Sequence, residues 1–106
     1  MFARTLIFTA VSTLMFATGA VHAEGDAARG KELSVDCADC HGEDGKGDEF
    51  TVGIAGLDEA YHVEQLKKFK SGERTDEDEM MIVYTEELSE QDMQDLAAYY
   101  ATLPKQ

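Results

Sequence analysis

An all-α fold is predicted for this chain, on three observations. Three stretches repeat apolar residues at helical spacing beside capping residues. No stretch alternates apolar and polar residues as a half-buried strand does. A Cys-x-x-Cys-His run offers a staple to a domain too short to build a large core alone.

The first predicted helix runs from about Asp26 to Asp36. Asp26 suits the N-cap, where its carboxylate accepts from free amide groups. Ala27, Gly30 and Leu33 form a narrow inner stripe. Gly30 weakens intrinsic helicity, and close approach of another helix is the reason to keep it.

Residues 42–56 hold Gly42, Gly45, Gly47, Gly53 and Gly56. They read as a loop able to curve tightly around the edge of a flat ligand.

The second helix is predicted over Glu59 to Ser71, capped by Asp58 and closed by Gly72. Tyr61, Val63, Leu66 and Phe69 make its buried face, and His62 falls on the partly exposed polar side. Lys67, Lys68, Lys70 and Arg74 gather at its end, where cations suit the helix dipole. The acidic run from Asp76 to Glu79 reads as solvated loop, with Met80 and Met81 in the same interhelical loop.

The last helix is the best signalled. Ser89 caps it, Asp92 approximates a capping box, and Leu88 with Met93 can staple its start. Met93, Leu96, Ala97, Tyr100 and Leu103 keep helical spacing, and Pro104 lies just past the end.

The N-terminus has a different character. Residues 1–23 carry one cation, Arg4, no acid, and an apolar run of about 13 residues, shorter than the ~20 that span a bilayer. With Val21-His22-Ala23 as a cleavage site, this is the layout of a secretory signal peptide. Residues 24–106 form one small domain in which 22 Asp and Glu face 8 Lys and Arg, a formal charge of −14. Such a surface repels nucleic acid and favours a partner with a basic docking face, or a saline habitat.

Cys37-Ala38-Asp39-Cys40-His41 has the spacing of c-type haem attachment. Two sulfurs three positions apart suit the two vinyl groups on one porphyrin edge, and the next residue then lies under the iron. An exported chain with two cysteines offers two other readings, a single disulfide or a redox-active thiol pair. His41 and the glycines after it weigh against both. For the second axial ligand the residues offer His62, Met80, Met81 and Met93. His62 sits within a helix and Met93 within an inner stripe. Spacing alone does not separate Met80 from Met81.

These residues resemble the class I c-type cytochromes, and more narrowly the short bacterial periplasmic members and one half of their di-haem relatives. The resemblance covers Gly25 to Leu103. It is carried by Cys37-Ala38-Asp39-Cys40-His41-Gly42 with Asp44-Gly45 and Gly47, and by Ile54-Ala55-Gly56-Leu57. Tyr61, Gln65-Leu66, Phe69-Lys70, Gly72 and Arg74 continue it, and Leu88-Ser89-Glu90-Gln91-Asp92 with Leu96-Ala97-Ala98-Tyr99-Tyr100 completes it.

The resemblance implies a small cytochrome c fold, three main helices and loops wrapped around one covalent haem c. Cys37 and Cys40 would tether the haem, with His41 and Met81 as axial ligands of its iron. Met81 precedes the capping Ser89 by eight residues as the family pattern asks; Met80, nine before it, is the fallback. Gly30, Leu96 and Tyr99 match the positions where the family crosses its first and last helices. The family's proline near Val52, whose carbonyl holds the ligand imidazole, is missing. A carbonyl between Thr51 and Gly53 should take its place.

The implied function is periplasmic one-electron transfer by a non-enzymatic monomer. It would meet redox protein partners and make no stable membrane insertion after signal cleavage. The alternatives are a haem-containing subunit of a larger oxidoreductase and a ligand-binding haem sensor.

Overall fold

The computed structural model describes residues 25–105, so the predicted signal peptide at 1–23 lies outside the described residues. Among these residues the architecture is all-helical, with five helices: α1 (Ala27–Leu33), α2 (Val35–His41), α3 (Glu59–Ser71), α4 (Met80–Glu86) and α5 (Glu90–Ala101).

The core is built around α5. It buries Met93, Leu96, Ala97, Ala98 and Tyr100, and Asp95 with them. Its start is the predicted one: Ser89 and Asp92 form a reciprocal capping box. α1 crosses α5 so closely that a Cβ on Gly30 would stand 1.9 Å from the Asp95 carbonyl oxygen and 2.9 Å from Tyr99 Cβ. Close helix approach is therefore why glycine stands there.

Asp95 is the polar bolt of this crossing. Its carboxylate accepts from the Asp26 amide at 2.7 Å, from Arg29 Nη1 at 2.6 Å and from Gln91 Nε2 at 2.9 Å. Burial pushes that carboxyl up, but these three donors hold it below the usual carboxylate range. Arg29 also reaches Asp92 at 2.6 Å.

α3 packs on α5 and α4. Asp58 caps it, accepting from the Tyr61 amide at 3.0 Å, and Gly72 closes it. Its basic end is occupied within the molecule. Lys67 pairs with Glu90 at 2.6 Å, Lys68 with Glu64 at 3.2 Å, and Lys70 donates to the Leu88 carbonyl at 2.5 Å. Arg74 bonds Gln65 at 2.9 Å and stacks over Phe69. Lys67 and Lys70 thus fasten α3 to the entrance of α5, while Lys68 and Arg74 bond back onto α3 itself.

Four expectations need correction. The predicted first helix is two helices broken at Ser34, whose hydroxyl turns back to the Lys31 carbonyl at 2.7 Å. The cysteine–histidine run is itself helical. His62 is buried and Tyr61 is 48% exposed, because the inward stripe of α3 is His62, Leu66 and Phe69. Met80 and Met81 are not in a loop but open α4, where the Asp76 carboxylate accepts from the Met81 amide at 3.3 Å.

Candidate functional site

α2 presents Cys37, Cys40 and His41 within two turns. The thiols are unbonded; Cys37 is half-buried and Cys40 exposed. Three residues apart on a helix, they share a face. His41 ends the helix and is 7% exposed.

The His41 ring is held by the loop that follows. Nδ1–H donates to the Val52 carbonyl at 2.8 Å. A carbonyl only accepts, so the proton belongs on Nδ1, and Nε2 keeps its lone pair for a ligand. The predicted carbonyl window, Thr51 to Gly53, contains this acceptor. Gly47 makes the geometry possible. Its amide donates to the His41 carbonyl at 2.7 Å, and its φ of 69° is left-handed. A Cβ there would stand 2.2 Å from the Thr51 oxygen and 2.7 Å from the Val52 oxygen.

Tyr100 is the floor beneath this group. It is 1% exposed, and a Cβ on Gly45 would lie 3.0 Å from its Cδ1. Burial pushes its phenol up, and the Cys37 thiol beside its hydroxyl adds to the rise. Cys37 is raised chiefly by burial, with the Tyr100 hydroxyl drawing it back.

The His62 ring lies 5.6 Å from the Tyr100 ring, centroid to centroid. It is 5% exposed and its Nδ1 is buried without a hydrogen-bond partner. Burial holds this imidazole neutral, with its pKa lowered to about 4, and the nearness of His41 acts in the same direction. Sequence reasoning missed this residue as part of the wall. Its i, i+4 spacing to Leu66 was the available signal, and its polarity hid it.

The two candidate methionines part company. Met81 is half-buried, one turn before the fully buried Thr85, whose hydroxyl donates to the Met81 carbonyl at 2.8 Å. Met80 is 43% exposed. Met93 is 2% exposed and belongs to the α5 core.

This donor set fits a haem of the c type. Among the described residues no three His, Cys, Asp or Glu side chains converge to chelate a metal ion. Cys37, Cys40 and His41 therefore do not form a protein-only metal centre. They are what a macrocycle with its own four nitrogens needs from one helix: two tethering sulfurs and one imidazole with a free Nε2.

The cytochrome c family model matches residues 27–104. Cytochrome c4 of Pseudomonas aeruginosa is 42% identical over 86 residues, which cover 80% of this chain and 42% of that relative. Cytochrome c-554(547) of Halothiobacillus neapolitanus is 38% identical over 89 residues, covering 74% of this chain and 98% of the relative. The structure of Acidithiobacillus ferrooxidans cytochrome c4 superposes with a TM-score of 0.70 at 28% identity, covering 76% of this chain and 51% of that one. The chain thus spans about half the length of its cytochrome c4 relatives and nearly the whole of the c-554(547) relative.

Proposed function

The chain belongs to the cytochrome c family, whose cofactor is covalent haem c, and from that premise we propose that it is a periplasmic one-electron carrier. The structure of Acidithiobacillus ferrooxidans cytochrome c4 supports a complex-induced tuning of electron transfer in that protein, and the likeness to it supports this reading. The observation that carries it is that His41, on the same helix as the two thiols, donates Nδ1–H to the Val52 carbonyl of the following loop.

In this reading Cys37 and Cys40 tether the haem through their sulfurs. His41 offers Nε2 to the iron, with its tautomer held by the Val52 carbonyl. Met81 offers the thioether from α4, and Met80 faces away. Bound in this way, the haem supplies a one-electron iron couple whose potential the axial ligands and surroundings set. Tyr100 and neutral His62 close the wall behind Cys37 and keep water from it. No catalytic residue is assigned, because a carrier transforms no substrate.

The chain is exported by the leader at 1–23, cut after Ala23, and works as a monomer. Among the described residues no helix is long and apolar enough to cross a membrane. Its partners are redox proteins with a basic face, which the formal charge of −14 over residues 24–106 attracts.

A redox titration of the haem-loaded protein with its visible spectrum tests this reading. A reversible one-electron couple with a methionine-to-iron band in the ferric form is expected. Rapid carbon monoxide binding by the reduced form would instead favour an open-iron sensor. Co-elution of the native protein with a large partner would favour an oxidoreductase subunit.

A further inference from the structure

α4 has an inner and an outer face. Thr85 is fully buried and Met81 half-buried. At about 100° per residue, Val83 points directly away from that pair and Met80 about 120° away. Val83 is 57% exposed, Met80 43% and Tyr84 39%. Val83 and Met80 thus lie on the outward side, and Tyr84, three residues from Met81, borders the inner face.

The flanks of this face are acidic. Glu77, Asp78 and Glu79 precede α4 and Glu86 and Glu87 end it, all exposed, and residues 76–87 contain no Lys or Arg. The cations of α3, Arg29 and Arg74 are engaged elsewhere: Arg29, Lys67 and Lys68 are paired to acids of their own, Lys70 is bonded to the Leu88 carbonyl, and Arg74 is bonded to Gln65 over the Phe69 ring. An apolar centre inside a charged rim is the anatomy of a protein–protein interface.

We propose that the outward face of α4 is the docking surface for a redox protein with a small apolar centre ringed by lysines and arginines. Val83 and Met80 make the contact, with Tyr84 at its edge, and the acids at 77–79 and 86–87 steer the approach. A second copy of this chain would bring the same negative rim and is repelled. The proposal rests on the electron-carrier reading, since docking there brings the partner onto the helix that carries Met81.

The test is an amide-shift titration of the haem-loaded, ferrous protein with a lysine-rich mitochondrial-type cytochrome c, also ferrous, as the probe. Shifts are expected to concentrate at residues 77–87. Glu77→Lys and Glu86→Lys should each weaken binding roughly 3-fold or more at low ionic strength. Glu32→Lys on α1, with the same change of charge, should weaken it less than about 1.5-fold. Val83→Ser should weaken it about 2-fold or more with the salt dependence unchanged. Shifts centred elsewhere, an equal loss from Glu32→Lys, no loss from Val83→Ser, or no binding would each overturn the proposal. The same samples are titrated for their one-electron couple. Failure to dock with that couple intact removes only this surface, whereas a missing couple removes the carrier reading itself.

Discussion

The Val52 carbonyl holds His41 Nδ1 at 2.8 Å, and the Val52 side chain that accompanies it is 62% exposed. The restraint on the imidazole is therefore a backbone restraint, and its strength depends on how the loop is shaped rather than on what residue 52 is.

Gly47 shapes that loop, so Gly47→Ala should be the most damaging small change in it. The left-handed φ alone costs about 1–2 kcal/mol for an alanine, and its Cβ would collide with the Thr51 and Val52 carbonyls. Thermal unfolding of the haem-loaded variant should show a loss above 2 kcal/mol, taking that backbone cost with the clash. Val52→Ala should stay within about 0.5 kcal/mol of the parent, as exposed substitutions do.

Gly30→Ala tests the helix crossing apart from the site. A Cβ at 1.9 Å from the Asp95 carbonyl cannot be accommodated without moving α1. Denaturant unfolding should show a loss of about 3 kcal/mol, the upper range for overpacking. A loss below about 0.5 kcal/mol would show that the helices are not this close.

His62 predicts a pH dependence of stability. Its folded pKa is lowered from 6.5 to about 4. Below pH 6.5 the unfolded chain binds the proton and the folded chain resists it. Stability is thus fully present above pH 6.5, falls between pH 6.5 and about 4, and levels off below. The loss across that window is on the order of 3 kcal/mol. His62→Leu should flatten this part of the profile relative to the parent, while the carboxylate titrations stay. Parallel profiles for the two proteins would contradict the burial of His62.

Met81→Ala should keep the haem attached, lower the potential and open the iron to added ligands. The fall belongs to the roughly 0.8 V that axial ligands command. Met80→Ala should leave potential and spectrum unchanged. The reverse pattern, read by redox titration, would assign the thioether to Met80.

Much of this molecule was legible in its sequence because the signals were local. The Ser89–Asp92 capping box and the Asp58 and Gly72 ends of α3 rest on neighbours within a few residues, whereas the Gly30 crossing and the carbonyl window around Val52 join distant residues and were legible through a helical glycine and the family resemblance. What escaped depended on tertiary packing. His62 looks like a surface residue by type, yet α3 turns it against Tyr100, and burial overrode polarity. Ser34 splits the first helix through its own hydroxyl bond to Lys31. Met80 and Met81 open a helix whose first turn is met by Asp76, which reaches the Met81 amide from five residues earlier, a contact that no periodicity announces.

The central claim is a haem fixed to Cys37 and Cys40, and the direct measurement is a pyridine haemochrome assay with intact mass on the chain taken from its native cell envelope. One haem per polypeptide, retained after acid–organic extraction and lost in the Cys37→Ala, Cys40→Ala variant, is the predicted result. A colourless chain carrying two free thiols or a Cys37–Cys40 disulfide would contradict it.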